Sequence, residues 1–151
     1  VKTCNKCQIS KPLNCFSKRK STSDGLQWWC KDCKKSHDAN RLLDPKSRSS
    51  FLYNAAKHRA IRFGGALSIT PEWIESKILL GKCELTGLPF DLQPMTKNHV
   101  NPFAPSLDRI DSNNRDYSPE NTRVVLAAVN AALNEWGIET LKPIFKILGN
   151  M

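Results

Sequence analysis

The sequence has no long apolar run. Nowhere does it approach the roughly 20 consecutive apolar residues that span a bilayer, so no membrane partner is expected. Its first residues, Val1-Lys2-Thr3-Cys4, lack the apolar stretch of a secretory leader, and the expected location is the cytoplasm. Glycine is sparse, 7 in 151 residues, and no internal repeat is present, which excludes a collagen-like chain. The length excludes a large enzyme core and leaves one medium domain or two small ones. Acid is scarce as well: 14 Asp and Glu stand against 23 Lys and Arg, a net charge of +9. With 40% hydrophobic and 25% charged residues, the chain is an ordinary folding sequence rather than a disordered one.

The positive charge is concentrated. Residues 1–65 carry 15 Lys and Arg against 4 acids, and residues 66–151 carry 8 against 10. That division suggests a grip for a polyanion joined to something else, the alternative being a basic surface kept for solubility. Four of the 6 Cys form two pairs, Cys4-x-x-Cys7 and Cys30-x-x-Cys33. In a reducing compartment such pairs point to metal rather than disulfides. Redox pairs of this spacing usually occur singly at a helix start in a βαβ setting, which is absent. Four thiolates suit one structural Zn²⁺, held tetrahedrally by Cys4, Cys7, Cys30 and Cys33. The bound ion would take the net charge to about +7. Cys15 and Cys83 read as small buried residues. Of Trp28 and Trp29, one ring is expected to fill the knuckle's small core, and the other either packs or stacks on a base. Lys18, Arg19, Lys20, Lys31, Lys34 and Lys35 are candidates, as a group, for phosphate contact.

The expected organisation is a zinc knuckle at 1–40, a basic linker with helices at 41–81, and a third part at 82–151. Residues 40–50 read as a linker ending in a helix cap. A helix is expected from Phe51 to Phe63, stopped by Gly64-Gly65, with basic Arg59 and Arg62 as candidates for DNA contact. Another begins at Thr70 and Pro71 and stops near Gly81. Ser106 to Asp111 reads as extended, 112–116 as a turn, and Tyr117 to Val125 as the return. Leu126 to Trp136 has helical spacing with Gly137 as a stop. A last helix, Leu141 to Leu148, has Pro143 in its first turn. The fold class is α+β.

Strand, polar turn, return strand and helix would bring Asp108 and Asn130 together. One carboxylate and one amide oxygen make a weak hard-oxygen site, leaving most of a Mg²⁺ shell to water and phosphate. Such an ion suits phosphodiester hydrolysis. The run Ser106-Leu107-Asp108-Arg109-Ile110-Asp111, then Tyr117-Ser118-Pro119-Glu120-Asn121-Thr122-Arg123, then Asn130 resembles the HNH, or ββα-metal, endonucleases, including restriction and phage-encoded members. The N-terminal Cys pairs are similar to the first zinc site of some of them.

The resemblance implies a small ββα-metal core with a four-Cys knuckle and additional helices. It implies Asp108 and Asn130 as ligands of a catalytic Mg²⁺ or Mn²⁺, and Asn121 as the brace of the hairpin loop. The substrate it implies is double-stranded DNA in a bacterial or phage-infected cell, with a role in restriction or phage DNA processing; cutting a palindrome would require a homodimer. Thr86, Leu126 and Val129 stand where many relatives carry further zinc-binding cysteines, so a second zinc is not expected, and an apolar contact between the Cys83 loop and the helix takes its place.

Arg109 falls where the family has its general-base His, and a guanidinium stays protonated. Tyr117 is then the candidate base, with Arg109 assisting it or clamping the phosphate; the alternative is a packed hairpin aromatic. His99 is a reserve base, while His37 and His58 read as surface residues. Asn134 either supports the site or lies exposed, and Asp111 reads as a turn residue. The other class the sequence allows is a zinc-dependent DNA-binding module whose nuclease site has decayed, which only Arg109 favours.

Overall fold

The chain divides into two compact units, Val1–Arg41 and Leu42–Met151. The computed structural model describes residues 1–93, 101–134 and 136–149. In the first unit β1 (Lys2–Thr3) pairs antiparallel with β2 (Ser10–Lys11), and β3 (Phe16–Lys18) with β4 (Leu26–Cys30). Helix α1 (Lys31–Arg41) follows β4 directly and buries no residue. The unit's fully buried apolar side chains are Cys4, Phe16 and Cys30, with Cys7, Cys15, Leu26, Trp29 and Cys33 packed around them. So small a core does little to offset the entropy of ordering some forty residues, and the sulfurs at its centre are placed where a cross-link would act.

The second unit starts with α2 (Pro45–Phe63). The sequence reading placed this helix from Phe51 and made 40–50 a linker; the helix begins six residues earlier. Asp44 caps it by accepting from the Ser47 N–H at 2.9 Å, and Pro45 sits where a missing N–H costs nothing. Residues 41–81, read as a part of their own, fold almost entirely within the same unit as 82–151. Helix α3 (Pro71–Leu79) starts on Thr70, whose hydroxyl accepts from the Trp73 N–H. Ser49, Leu52, Ala56 and Ala60 form the buried stripe of α2, three and four residues apart. With Ile74 and Ile78 of α3, Leu52, Ala56 and Ala60 build a core that also takes Ile69, Leu107, Tyr117 and Val124.

Strand β5 (Pro105–Arg109) pairs antiparallel with β6 (Thr122–Leu126), in a register that sets Asp108 opposite Arg123. Helix α4 (Ala127–Leu133) follows β6 without a break, so β5, β6 and α4 form a ββα unit and the fold is α+β. No side chain caps α4; its first N–H groups go to the carbonyls of Ala104 and Pro102. The helix ends at Asn134, in a positive-φ conformation, earlier than Trp136. Gly137 is not a stop but the first residue of α5 (Gly137–Leu148), which places Pro143 inside that helix rather than in its first turn. Pro143 has no N–H to give the Glu139 carbonyl, a local loss that the helix absorbs near its exposed end. Among the described residues, no helix is long and apolar enough to cross a membrane.

The loop 111–116 is fastened to the end of α2. Arg115 Nη1 donates to the Phe63 carbonyl at 2.9 Å, and Asp116 Oδ1 accepts from the Ala66 N–H at 2.7 Å. Gly65 lies so close that a Cβ there would stand 2.2 Å from the Arg115 carbonyl oxygen. Gly65→Ala must therefore push the loop away. The expected result is a loss of about 2 kcal/mol or more in urea unfolding, against a few tenths for Ala66→Gly beside it, where no such clash exists. Equal stability of Gly65→Ala and the parent would mean the loop is not held there.

Two turns share one backbone. In the first unit Cys4 N–H donates to the Ile9 carbonyl, Gln8 N–H donates to the Cys4 carbonyl, and Gln8 has φ 59°. In the second, Cys83 N–H donates to Leu88, Gly87 N–H donates to Cys83, and Gly87 has φ 73°. Thr86 occupies the place that Cys7 holds in the first turn. Cys83 is buried with Val125 and Leu126, and Val129 of α4 packs against the group. Glu84 ties the turn to β6 by accepting from the Val124 N–H and meets Lys77 at 2.6 Å. The second turn is thus held by the sheet beside it.

Candidate functional site

The four sulfurs of Cys4, Cys7, Cys30 and Cys33 lie within 4.8 Å of one another, a group that could hold a metal ion. The turn after Cys4 presents the first pair; the join of β4 to α1 presents the second. Burial works against ionising Cys4, but N–H groups of Cys30, Cys7 and Lys6 point at its sulfur and hold it down at about 6. Cys33 is pushed the other way, up to about 12, by burial and by hydrogen bonds to the three neighbouring sulfurs. Four thiolates so close repel one another unless a cation stands among them, and an all-sulfur donor set fits a soft tetrahedral ion. Lys11 lies near the group, its ammonium 2.8 Å from Asp32.

In the second unit β5 and α4 border a cleft of about 420 Å³ whose lining includes Arg59, Ser106, Asp108, Arg109, Tyr117 and Asn130. Asp108 is buried, and its Oδ2 accepts from Arg123 Nε at 2.7 Å. Asn130 Nδ2 donates to Ser106 Oγ at 2.8 Å and to the Leu107 carbonyl at 2.9 Å. A carbonyl only accepts, so the amide's orientation is fixed. Its two N–H bonds are spent, and its oxygen has no hydrogen-bond partner among the described residues. Two hard oxygen donors, Asp108 Oδ1 and Asn130 Oδ1, are left for a small divalent cation, which suits Mg²⁺ or Mn²⁺.

Arg109 Nη1 donates to the Asn114 carbonyl at 3.1 Å, and its guanidinium lies 5.7 Å from the centre of the Tyr117 ring. Tyr117 is 4% exposed; it belongs to the core and also lines the cleft. Its backbone is pinned by Ala66, Ser68 and Ile69. Asn121 does not line the cleft. Its side chain accepts from the Asp111 N–H and donates to the carbonyls of Asp111, Asn114 and Asp116, so it braces the loop that carries Arg109's partner.

Arg59 reaches the cleft from α2, while Arg62 lies exposed beside the Phe63 ring. In the first unit Lys18, Lys20, Lys31, Lys34 and Lys35 are exposed, and Arg19 stacks on Trp28. Asn134 lines the cleft one turn beyond Asn130, Asp111 lies in the braced turn, and His58 is exposed on α2. His99 lies outside the described residues. The sequence reading missed Arg123, Ser106 and Arg115. Arg123 could have been found by pairing the strands about the Asn-rich turn, which sets it across from Asp108; Ser106 and Arg115 carry no such signal.

No known protein family and no curated protein sequence matches the chain. Among solved structures the chain is similar to an HNH restriction endonuclease, at 18% identity and a TM-score of 0.44, over 89% of this chain and 83% of that one. That enzyme is the rare-cutting PacI.

Proposed function

We propose that the protein is a metal-dependent DNA endonuclease that hydrolyses phosphodiester bonds, with one structural Zn²⁺ in the knuckle and one catalytic Mg²⁺ or Mn²⁺ in the cleft. The observation that carries this reading is the pair of unspent oxygens on Asp108 and Asn130, in one cleft with Arg59, Arg109 and Tyr117. The knuckle ion is taken as zinc because four thiolates in a protein expected in a reducing compartment favour it. The substrate is taken as double-stranded DNA on the basic first half and the HNH-like pattern; restriction and phage DNA processing are the roles this suits.

In the mechanism, Asp108 and Asn130 would hold the divalent ion, which when bound would supply charge for the phosphate and the departing sugar oxygen. Arg59 and Arg109 bind the non-bridging phosphate oxygens. Tyr117 is the titratable side chain lining the cleft that is neither a fixed cation nor an ion ligand. Once its own proton has passed to solvent, Tyr117 Oη takes a proton from the attacking water, the water oxygen bonds to phosphorus, and the phosphorus bond to the sugar oxygen breaks. Asn121 acts through the loop it braces, as a positioning residue.

The test uses supercoiled plasmid with Mg²⁺ or Mn²⁺. The protein nicks it, and Tyr117→Phe, which keeps the core volume, nicks it about a hundredfold more slowly with unchanged DNA affinity. Equal rates would remove Tyr117 from the chemistry. Plasmid that is bound but stays intact with both ions would leave a DNA-binding module and sink the nuclease reading.

A further inference from the structure

The first unit has a cavity of about 250 Å³ of its own, lined by Ser17, Gln27, Trp28, Trp29, Lys34 and His37. Trp28 is 50% exposed, although a Trp is among the side chains that gain most from burial. The wall is ordered despite this exposure. Arg19 lies over the Trp28 ring at 4.2 Å, held by Nε to Ser21 Oγ at 2.9 Å and by Nη1 to Gln27 Oε1 at 3.4 Å. The His37 ring stands edge-on to Trp29, with centres 5.1 Å apart.

We infer that this cavity is a stacking pocket for a single unpaired nucleobase of a DNA strand. The rings already carry cations, Arg19 on Trp28 and Lys6 on Trp29, so a cationic guest such as a methylated amine would meet like charge. A neutral aromatic heterocycle bearing a phosphate meets none. The Gln27 amide nitrogen, the Ser17 hydroxyl and the His37 ring offer hydrogen bonds to a base edge. The unit around them carries ten Lys and Arg against three Asp, which favours the attached phosphates. A base within a duplex has both faces covered, so the pocket takes one that has left the stack. This inference rests on DNA being the substrate, but not on the cleavage chemistry.

The test titrates the full zinc-loaded chain, without Mg²⁺ or Mn²⁺, with oligothymidylate and with an abasic oligomer of the same length and charge. Oligothymidylate is expected to bind roughly tenfold more tightly and to quench tryptophan fluorescence. Trp28→Leu, with its zinc content verified, erases the preference, and Trp28→Phe, which keeps a π-face, retains most of it. Equal binding of the two oligomers, or a full preference in Trp28→Leu, overturns the pocket. Plasmid nicking in the same preparation separates the two readings. Base preference without nicking sinks the nuclease and keeps the pocket, whereas nicking without base preference does the reverse.

Discussion

Asn130→Ala is expected to lower plasmid nicking by about 10²–10³-fold or more while DNA binding and folding stay intact. The substitution removes one of the two oxygens available to the divalent ion. It also frees Ser106 Oγ and the Leu107 carbonyl, but both lie at the edge of a cleft where water can satisfy them. Asn130→Asp separates the two effects. It keeps an oxygen for the ion but sets a carboxylate against the Leu107 carbonyl, so it recovers part of the rate, more in Mn²⁺ than in Mg²⁺, whose geometry is less forgiving. Nicking rates read beside anisotropy binding and circular dichroism decide the matter. Full activity in Asn130→Ala would dismiss the amide as a ligand.

Removing metal from the knuckle is expected to unfold Val1–Arg41 and leave Leu42–Met151 folded. Structural zinc contributes on the order of 10 kcal/mol in small zinc domains, far more than three buried apolar side chains can supply. A chelator, or Cys4→Ser, should therefore abolish the environment of Trp28 and Trp29 in fluorescence while the second unit keeps its own cooperative transition. The pH dependence has a definite sign. Cys4 is held down at about 6 when folded, against 9.0 for an ordinary thiol, so its contribution is full above about 9, shrinks as pH falls between these values and is gone below about 6. A bound ion competes with protons for the sulfurs and moves the loss lower still. Acid should release the metal and the first unit together. A chelated chain with unchanged tryptophan emission would show that the knuckle stands without metal.

The parts of the fold written in local chemistry were legible. Thr70 and Pro71 start α3 because a hydroxyl cap and a fixed φ act within one turn. The turn between β5 and β6 could be read from its run of Ser, Asn and Asp. Asp44-Pro45 carried the same kind of signal as Thr70-Pro71, but the polar residues after it hid a helix whose buried stripe includes Ser49, satisfied by the Lys46 carbonyl. Helix α1 buries nothing, so no hydrophobic period marks it. Helix α4 has no cap in its sequence, since carbonyls of the 102–104 segment serve instead. In the candidate site, Asp108, Arg109, Tyr117 and Asn130 were named through the likeness of their run to the HNH pattern. The hold of Arg123 on Asp108 and the fastening of the loop to α2 are tertiary and needed coordinates.

The Arg123–Asp108 pair has a thermodynamic consequence. It pairs the one formal negative charge among the described residues lining the cleft, whose other fixed charges are the guanidinium groups of Arg59 and Arg109. A divalent cation approaching the bare cleft meets repulsion and two oxygens, one neutral and the other half-committed. A phosphodiester arriving first reverses that field and adds oxygens of its own. On the proposed function, ion and strand would be co-ligands, each raising the affinity for the other by the same factor. A nuclease of the proposed kind would stay unarmed in free Mg²⁺ until DNA lay in the cleft.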